Sequence, residues 1–599
     1  PVKSGKRTGR DVNMVLLEKY SGTYKTPCGA VKTNETVRFC VDAQERSPLT
    51  LNVRSDDGTV RFEKHMEKQG DRHFCEISFD CKGLYFYSIS DSGSRFLNYT
   101  NDGKTFFSGE QVWAQQLVMD DGYVPARGYS GGIAYQIFPD RFAISGNVKK
   151  LPGRIYHSDL SDMPHWKPDA LGKIRNNDFY GGNLRGIAGK LDYLSDLGVT
   201  LIYLNPIFVS NSNHRYDTGD YHAIDPQLGS EDDFRYLCAK ASEKGIKIIL
   251  DGVFSHTGDD SIYFNRYGNY DSLGAYQSKE SPYFSWYRFE RWPDKFDSWW
   301  GIETLPEVDE MDPSYTEFIT GPSGVIDHWM NAGASGLRLD VADELPDEFI
   351  VKIRQAVRRN DPEGLLIGEV WEDASNKISY SKRRKYFQGD ELDGCMNYPF
   401  KNAVLEFIRS KNAAAFRDAV EEICIHYPNE MLSTCLNMLS SHDTERAINA
   451  LAAPQHAHKS REELSSIILS KDEYLKGVEM LKLAYALIFF LPGIPMIYYG
   501  DEIGLQGYGD PFCRGFFCED NADRNLQEAS KEICKKRKEN SDILGEGSTE
   551  FFLSENSVIG FYRTMGDSRL AFVINLSDEP VTVLGEEISP WRYSVIRLS

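Results

Sequence analysis

The stretch Gly336–Glu344, GLRLDVADE, decides how this chain is interpreted, because it is a short apolar strand that ends in an acid. Alternate side chains of a strand share a face, so Arg338 and Asp340 point one way and the intervening leucines point the other. A guanidinium beside a carboxylate keeps that carboxylate ionised and oriented. Taken alone, this pattern favours an ordinary buried ion pair.

The same pattern recurs along the chain. IKIILDGVFSH places Asp251 at the end of an apolar strand, LLIGEVW places Glu369 and CLNMLSSHD places Asp443. Four carboxylates at four strand ends indicate a site. Glu369 lies 29 residues after Asp340, which is about one repeat of a barrel that spends ~250 residues on eight βα units. These two acids are therefore predicted to lie on adjacent strands.

Composition places the chain among globular proteins with several domains. Its 599 residues are 41% hydrophobic and 13% aromatic, and ~100 to 200 residues per domain suggests three or four domains. The formal charge of −21 argues against a nucleic-acid or membrane-surface partner, since both are anionic. A neutral substrate fits this charge.

The sequence predicts neither a membrane span nor a targeting signal. The longest apolar run, LAYALIFFL, falls short of the ~20 residues that a spanning helix needs. The opening PVKSGKRTGR has no charged-then-apolar pattern. Eleven cysteines, an odd number without CxxC pairs, argue against a disulfide framework or structural zinc. These features predict a reduced, cytoplasmic protein.

Hydrophobic periodicity divides the chain into three parts and predicts an α/β protein. Residues 1–120 alternate apolar and polar positions between Asp-Gly and Ser-Gly turns, which predicts an antiparallel β-sandwich. Tyr85 and Tyr87 alternate with Phe86 there, which suits an aromatic core better than a sugar-stacking face. Residues 121–540 repeat strand and helix, which predicts a (β/α)8 TIM barrel, and residues 541–599 predict a C-terminal β-sandwich domain.

An insert is predicted after the third barrel strand. Asp251 and Asp340 are 89 residues apart, close to three times the spacing from Asp340 to Glu369, so about 255–314 is extra. This segment carries four tryptophans: Trp286, Trp292, Trp299 and Trp300. Long connections are often functional. We expect some of these rings to stack on sugars and others to form the insert's own core.

Two carboxyl groups, one ionised and one protonated, are what glycosidic bond cleavage requires. Arg338 beside Asp340 predicts a depressed pKa and therefore a nucleophile. No cationic residue lies within four positions before Glu369, which predicts a raised pKa and a general acid. A carboxyl separation of ~5 to 5.5 Å would give retention of configuration through a covalent glycosyl-enzyme.

The motifs DGVFSH, GLRLDVADE, LIGEV and SSHD, with LPEVD and GIPMIYYGDE, stand in the order found in the α-amylase family, glycoside hydrolase family 13. The chain resembles this family from about Ile133 to its end. VADE, GEVW and the leading sandwich look like its neopullulanase, cyclomaltodextrinase and amylopullulanase branch. The resemblance implies a retaining hydrolase of α-1,4 links in starch fragments, pullulan or cyclodextrins. It implies an α-glucan partner, makes the 1–120 sandwich a candidate glucan-binding domain and allows a homodimer.

The resemblance also implies a role for each matched residue. Asp340 would be the nucleophile, Glu369 the acid/base and Asp443 the acid that holds the sugar hydroxyls. The other matched residues are Arg338, which would orient the nucleophile, the sugar donors His256 and His442, the ring-stacking Tyr216, the structural acid Asp251, Trp371 beyond the cut, and the outer-sugar pair Asp510 and Arg514.

Departures from the family pattern bear on metal binding. Ser255 stands where Asn commonly precedes the histidine, and Asn183 stands where Asp is usual. The early loop FAISGNVKK lacks the Asn and Asp series that binds calcium in this branch. Its two lysines oppose an ion that prefers six to eight oxygens. We expect no obligate metal and no other cofactor; calcium is the ion that such a degraded site would take.

Three alternatives stay open at this point. A 4-α-glucanotransferase differs only in whether water or a sugar hydroxyl resolves the intermediate. An α-1,6-cleaving pullulanase or amylopullulanase would use the same mechanism on another linkage. A non-catalytic glucan-binding or transporter-associated relative is the least favoured, because the chain has all three acids and no apolar span.

Overall fold

The computed structural model describes residues 25–42, 48–92, 95–99, 105–170 and 172–598. They form two compact units. The first comprises the described residues up to Tyr123 together with Glu421–Asn429, and the second comprises Val124–Val420 and the described residues from Glu430 onward. The opening PVKSGKRTGR and the first part of the predicted 1–120 domain lie outside the described residues. The three domain boundaries stay predictions.

The first unit is built from two β-sheets of four and seven strands. Buried and exposed residues alternate along strands such as Leu49–Ser55, because successive side chains of a strand point to opposite faces. One pairing departs from the predicted antiparallel arrangement: Ala114–Met119 runs parallel to Val31–Lys32. The strands are Lys25–Thr26, Val31–Lys32, Thr36–Asp42, Leu49–Ser55, Arg61–His65, Glu67–Gln69, Arg72–Ser78, Gly83–Asp91, Phe96–Tyr99, Thr105–Ser108 and Ala114–Met119.

The aromatic residues of strand Gly83–Asp91 belong to the core of this unit. Tyr85 and Tyr87 are 4% and 7% exposed. Their rings pack on Phe79 and Phe39, with centroids 4.5 Å and 5.0 Å apart respectively. The interpretation of these tyrosines as an aromatic core is confirmed, and they do not form a sugar-stacking face.

Eight short strands of the second unit form one parallel sheet that closes on itself. In chain order they are Ala134–Ile137, Leu201–Leu204, Lys247–Gly252, Gly336–Leu339, Leu365–Gly368, Gly394–Cys395, Leu436–Met438 and Ile494–Tyr498. The first strand pairs with both the second and the eighth. A parallel bridge between Met396 and Leu436 joins the sixth strand to the seventh and completes the ring. The predicted (β/α)8 barrel is therefore confirmed.

The fourth strand shows how local sequence sets the barrel geometry. A Cβ atom at Gly336 would lie 2.1 Å from the carbonyl oxygen of Leu365, so glycine permits the pairing of these two residues. After the strand, the chain makes a 3-10 turn at Ala342–Glu344. The α-helix begins at Asp347, because Pro346 forces the residue before it into an extended conformation.

The strands are connected largely through amphipathic helices. Asp347–Asn360 buries Phe349, Ile350 and Ile353, which lie on one face of the helix. Ser230 and Ser470 form capping boxes that fix two other helix starts. The α-helices are Leu184–Gly189, Leu191–Asp196, Glu231–Ser242, Pro313–Thr320, Val325–Ala332, Asp347–Asn360, Tyr398–Ser410, Ala413–His426, Asn429–Leu432, Ala447–Ala452, Arg461–Leu464, Lys471–Phe490, Arg524–Glu539 and Ser541–Glu546.

The connection after the third strand is long and irregular, as predicted. It has two very short strands, Phe289–Arg291 and Lys295–Phe296, and the next helix starts at Pro313. Trp286 is 3% exposed and packs on Tyr263, whereas Trp300 is 78% exposed. One tryptophan thus forms the insert's core and another faces solvent.

Six strands follow the last helix: Ser548–Glu555, Val558–Met565, Ser568–Asn575, Val581–Val583, Glu586–Ile588 and Arg592–Leu598. Four of them form one antiparallel sheet and the remaining two form a hairpin. Three further short pairs lie between the barrel strands: Ile155–Tyr156 with Asp178–Phe179, Phe208–Ser210 with Thr218–Ile224, and Ile378–Ser379 with Lys382–Arg383. Within the described residues, none of the helices combines the length and hydropathy needed to cross a membrane.

Candidate active site

Arg338 is the centre of the site at the carboxyl ends of the barrel strands. Its guanidinium is fully buried. Nη1 lies 2.7 Å from Asp251 Oδ1 and 2.9 Å from Asp340 Oδ1, and Nη2 lies 2.8 Å from Glu369 Oε2. Three strands thus direct three carboxylates at one cation. The acids predicted to lie on adjacent strands do so, because Gly336–Leu339 pairs with Leu365–Gly368.

The backbone after Asp340 also holds Glu369. Val341 has φ 35° and ψ 60°, a left-handed conformation that is unfavourable for a β-branched residue. Its amide donates to Glu369 Oε2 at 2.9 Å. The other carboxyl oxygen, Oε1, accepts from Trp371 Nε1 at 3.3 Å, and the Trp371 ring stacks on Tyr398 with centroids 4.1 Å apart. Glu369 is therefore fixed from both sides.

Burial controls the protonation of the two acids. It raises the pKa of Asp340 well above its usual range and also raises the pKa of Glu369, while the Arg338 guanidinium opposes both shifts. The predicted depression of the Asp340 pKa is wrong, because Arg338 divides its charge among three buried carboxylates and Glu369 lies close by. The raised pKa of Glu369 is confirmed, although a cation does lie beside it in the fold. The two groups titrate as a pair.

Asp443 lies in a different electrostatic environment. His442 Nε2 is 3.0 Å from its Oδ2, and Arg514 Nη2 is 3.3 Å from its Oδ1. Burial alone would raise the pKa of Asp443, but His442 and Arg514 hold it below its usual range. Asp510 lies 2.6 Å from Arg514 Nη1, so the predicted pair is formed and joins the site through Asp443.

Tyr216 connects the carboxylates around Arg338 with the group formed by His442 and Asp443. Its ring stacks on His442 with an interplanar angle of 7°, and its hydroxyl accepts from His442 Nε2 at 2.5 Å. The same hydroxyl donates to Asp251 Oδ2 at 2.7 Å. Gln136 Nε2 lies 2.9 Å from Nδ1 of His442. Asp251 thereby supports both Arg338 and the tyrosine.

Both ring nitrogens of His256, a predicted hydrogen-bond donor to the sugar, contact protein atoms. Its Nε2 donates to the Tyr216 carbonyl at 3.1 Å, and Ser255 Oγ lies 3.0 Å from its Nδ1. Burial lowers the pKa of His256 to about 4, so the ring is neutral. The structure thus brings His256 to the site through Tyr216.

Sequence reasoning missed several polar residues at this mouth of the barrel. Tyr203 donates to Asp251 Oδ2 at 2.6 Å, and Asn205 donates to the Tyr216 hydroxyl at 2.9 Å. Gln136, at the first strand, also donates to Asn205 Oδ1 at 3.0 Å. The signal that found the acids, a polar residue near the end of an apolar strand, was present in AYQI and LIYLN and would have found these residues too.

The positions that raised the question of calcium have structural partners. Asn183 accepts from the Gly186 amide at 2.7 Å and donates to the Ser145 carbonyl at 2.9 Å, so it caps a helix. In the part of the chain that the structure describes, no three His, Cys, Asp or Glu side chains are grouped so as to hold a metal. The expectation of no obligate metal stays a prediction.

Comparison with known proteins gives a consistent result. The family model described as alpha amylase, catalytic domain, matches residues 136–545. An amylopullulanase of Thermoanaerobacter thermohydrosulfuricus is 34% identical over 96% of this chain, which spans 42% of that protein. A cyclomaltodextrinase of Thermoanaerobacter pseudethanolicus is 30% identical over 88% of this chain and 84% of its own length.

A solved structure has the same overall fold. The cyclic α-maltosyl-(1→6)-maltose hydrolase of Arthrobacter globiformis superposes with a TM-score of 0.66 at 27% identity, covering 80% of this chain and all of that protein. The chain spans between a third and a half of the length of the amylopullulanases that it matches.

Replacing Arg338 by Met should destabilise the fold by about 3 to 5 kcal/mol, because three buried carboxylates lose their shared cation. The pKa values of Asp340 and Glu369, which are already raised, then rise further above those of the unfolded chain. Such groups stabilise the folded state when protonated, and they lose that contribution as the pH rises through the raised pKa. The deficit is therefore smaller at about pH 5 than at about pH 8, as measured by thermal unfolding.

Arg358→Met is the matched control. Arg358 also lies 2.7 Å from a buried carboxylate, that of Asp393, but Arg354 remains as a second partner of that acid at 2.6 Å. The loss of Arg358 should therefore lower the free energy of unfolding by less than the loss of Arg338 does. An Arg338→Met deficit of equal size at both pH values would contradict the shared-cation interpretation.

Proposed function

The chain belongs to the α-amylase family, and from this premise we propose that it is a retaining glycoside hydrolase that cleaves α-1,4-glucosidic bonds of starch-derived oligosaccharides, pullulan or cyclodextrins. The observation that carries the proposal is the contact of Asp340 and Glu369 with one buried guanidinium. Two carboxyl groups that share a cation and titrate together are suited to divide the roles of nucleophile and acid.

The reactive form of the coupled pair is the one in which Asp340 is ionised and Glu369 holds the proton. In the proposed first step, Asp340 attacks the anomeric carbon while Glu369 gives that proton to the glycosidic oxygen. The bond to the leaving sugar breaks, and an ester forms between the glucosyl unit and Asp340. In the second step, Glu369 takes a proton from water, and the oxygen of that water attacks the anomeric carbon and releases Asp340. Arg338 orients the nucleophile and supports the charge that moves between the two acids.

The remaining site residues are proposed to hold the sugar on the other side of the cut. Asp443 is kept ionised by His442 and Arg514, which suits an acceptor for sugar hydroxyls. Tyr216 is braced by His442 and Asp251, and a fixed aromatic ring is suited to stack on a pyranose. Asp510 and Arg514 are positioned for the next sugar out.

The linkage and the location are also proposals. Trp371 is 45% exposed beside Glu369 and is placed to contact the leaving sugar. The amylopullulanase name of one relative keeps α-1,6 cleavage as the second candidate. The odd number of cysteines, eleven, supports a reducing compartment such as the cytoplasm.

The stereochemistry of the product tests the retaining mechanism. During hydrolysis of maltotriose, the first reducing sugar released should be the α-anomer, because two inversions at the anomeric carbon restore its configuration. Proton NMR in the first minutes, before mutarotation equilibrates the anomers, measures this. Initial release of the β-anomer would show a single displacement and overturn the ester intermediate.

Substitution of the two acids should separate their roles. Asp340→Asn should lower kcat by more than about 10⁴-fold, because the amide cannot form the ester. Glu369→Gln should lose about 10²- to 10⁴-fold on maltotriose. It should lose much less in the first step on 4-nitrophenyl α-maltoside, whose leaving group needs no proton. Circular dichroism confirms folding, and full activity of either variant would end the assignment.

Digestion of pullulan separates the linkages. We expect panose, the product of α-1,4 cleavage, because the alternative cut at α-1,6 links yields maltotriose. Chromatography against the two trisaccharide standards identifies the product. Maltotriose alone would make the protein a pullulanase of the same mechanism. Sugars longer than the substrate, formed from maltotriose, would indicate a transferase.

A further inference from the structure

An exposed tryptophan lies at the rim of the barrel mouth without an assigned role. Trp300 is 78% exposed, more than any other large hydrophobic residue among the described residues. It belongs to the insert after the third strand and has φ 51°, which is rare for a residue with a large side chain. Contact with solvent alone accounts neither for an exposed aromatic ring of this size nor for its unfavourable backbone conformation.

Glu344 holds this indole in place. Its Oε1 accepts from Trp300 Nε1 at 3.1 Å, and its Oε2 accepts from the hydroxyl of Tyr380. Tyr380 is itself 69% exposed and has φ 49°. One carboxylate thus braces two exposed aromatic rings that come from different loops. We call Trp300, Glu344 and Tyr380 the rim triad.

Three barrel loops meet at the rim triad. Trp300 follows the third strand, Glu344 lies four residues after Asp340 behind the fourth strand, and Tyr380 follows the fifth strand. The hairpin that carries Tyr380 is fastened to the Glu344 turn, because Ser379 Oγ donates to the Asp343 carbonyl at 3.1 Å. Lys377 also lies 3.0 Å from the Asp343 carboxylate.

A row of rings connects the rim triad to the site. Trp300 packs on Trp299 with centroids 5.6 Å apart, and Trp299 packs on His256 at the same distance. His256 in turn donates to the Tyr216 carbonyl. The triad is therefore continuous with the residues that surround Asp340, and it is not an isolated surface feature.

The charges around the rim select the kind of ligand. Glu307 lies on this rim, and partial desolvation of its carboxyl group, together with the neighbouring carboxylates of Asp297 and Glu344, raises its pKa. An acidic rim of this kind repels anions, whereas sugar hydroxyls can donate to carboxylates while the apolar face of the sugar lies on an aromatic ring. A neutral oligosaccharide fits both features.

We propose that the rim triad is a binding platform for an α-glucan unit on the leaving side of the cut, beyond the sugar that contacts Trp371, with Glu344 as its positioning residue. This inference rests on the proposed function. The loops after the third, fourth and fifth strands form the platform, whereas Tyr216, Asp443 and Arg514 lie with the loops of the second, seventh and eighth strands. Substrates that extend past the first leaving sugar reach the platform, and shorter ones do not.

The test compares two substrates. Maltohexaose places sugars beyond the cut, whereas 4-nitrophenyl α-maltoside places a single small ring there. In Trp300→Ala, the ratio of kcat/KM for maltohexaose to kcat/KM for 4-nitrophenyl α-maltoside should fall about tenfold, mainly through KM. Glu344→Ala should lower the ratio in the same direction but by less, and Glu344→Gln, which keeps an acceptor oxygen, should restore most of it.

Trp591→Ala is the matched control. Trp591 also has a positive φ, 55°, and its Nε1 lies 3.4 Å from a carboxylate, that of Asp578, but it lies in the turn before the last C-terminal strand. In Trp591→Ala, the ratio of kcat/KM for maltohexaose to kcat/KM for 4-nitrophenyl α-maltoside should equal that of the unchanged protein. An unchanged ratio in Trp300→Ala, or an equal loss on both substrates, would overturn the platform. Failure of the unchanged protein to cleave either substrate would instead overturn the proposed function.

Discussion

One buried guanidinium facing three carboxylates is the interaction on which the site depends. Arg338 reaches Asp251, Asp340 and Glu369 from three neighbouring strands. The cost of burying four charged groups is offset only when each one is paired, so the register of these strands and the identity of the cation constrain one another. A lysine could not replace it, because a single ammonium lacks the planar fork that serves separate acceptors.

The backbone and the charges of the site act together. The left-handed conformation of Val341 directs an amide at Glu369, so the acid is oriented by the same turn that carries Asp340. On the opposite side, His442 and Arg514 keep Asp443 ionised. The fold therefore creates two carboxyl environments a short distance apart, one that retains a proton and one that releases it.

Much of this arrangement could be predicted from the sequence, because apolar strands that end in polar residues are visible in the chain. The barrel, the insert and the placement of Asp340 and Glu369 on adjacent strands follow from that pattern. The pKa of Asp340 could not be predicted, since neighbours in sequence do not show that Arg338 is shared with Asp251 and Glu369. Sequence also could not show that Trp286 is buried and Trp300 is exposed, because that difference arises from long-range packing.

The closure of the barrel has a consequence for how the protein loses activity. The sixth strand meets the seventh through the single bridge of Met396 and Leu436. One backbone bond, from Asn397 N to the Leu436 carbonyl, and side-chain bonds from Asn397 to Asn437 and from Thr434 to the Asp393 carbonyl support it. Gly336–Leu339 and Leu365–Gly368, by contrast, share four paired residues of a continuous backbone ladder. Local opening is easiest where the fewest bonds must break. Local opening between the sixth and seventh strands separates Asp443 from Glu369 while the other strand pairs of the barrel stay intact. Heating would then abolish enzymatic activity at a lower temperature than the one at which the whole fold unfolds.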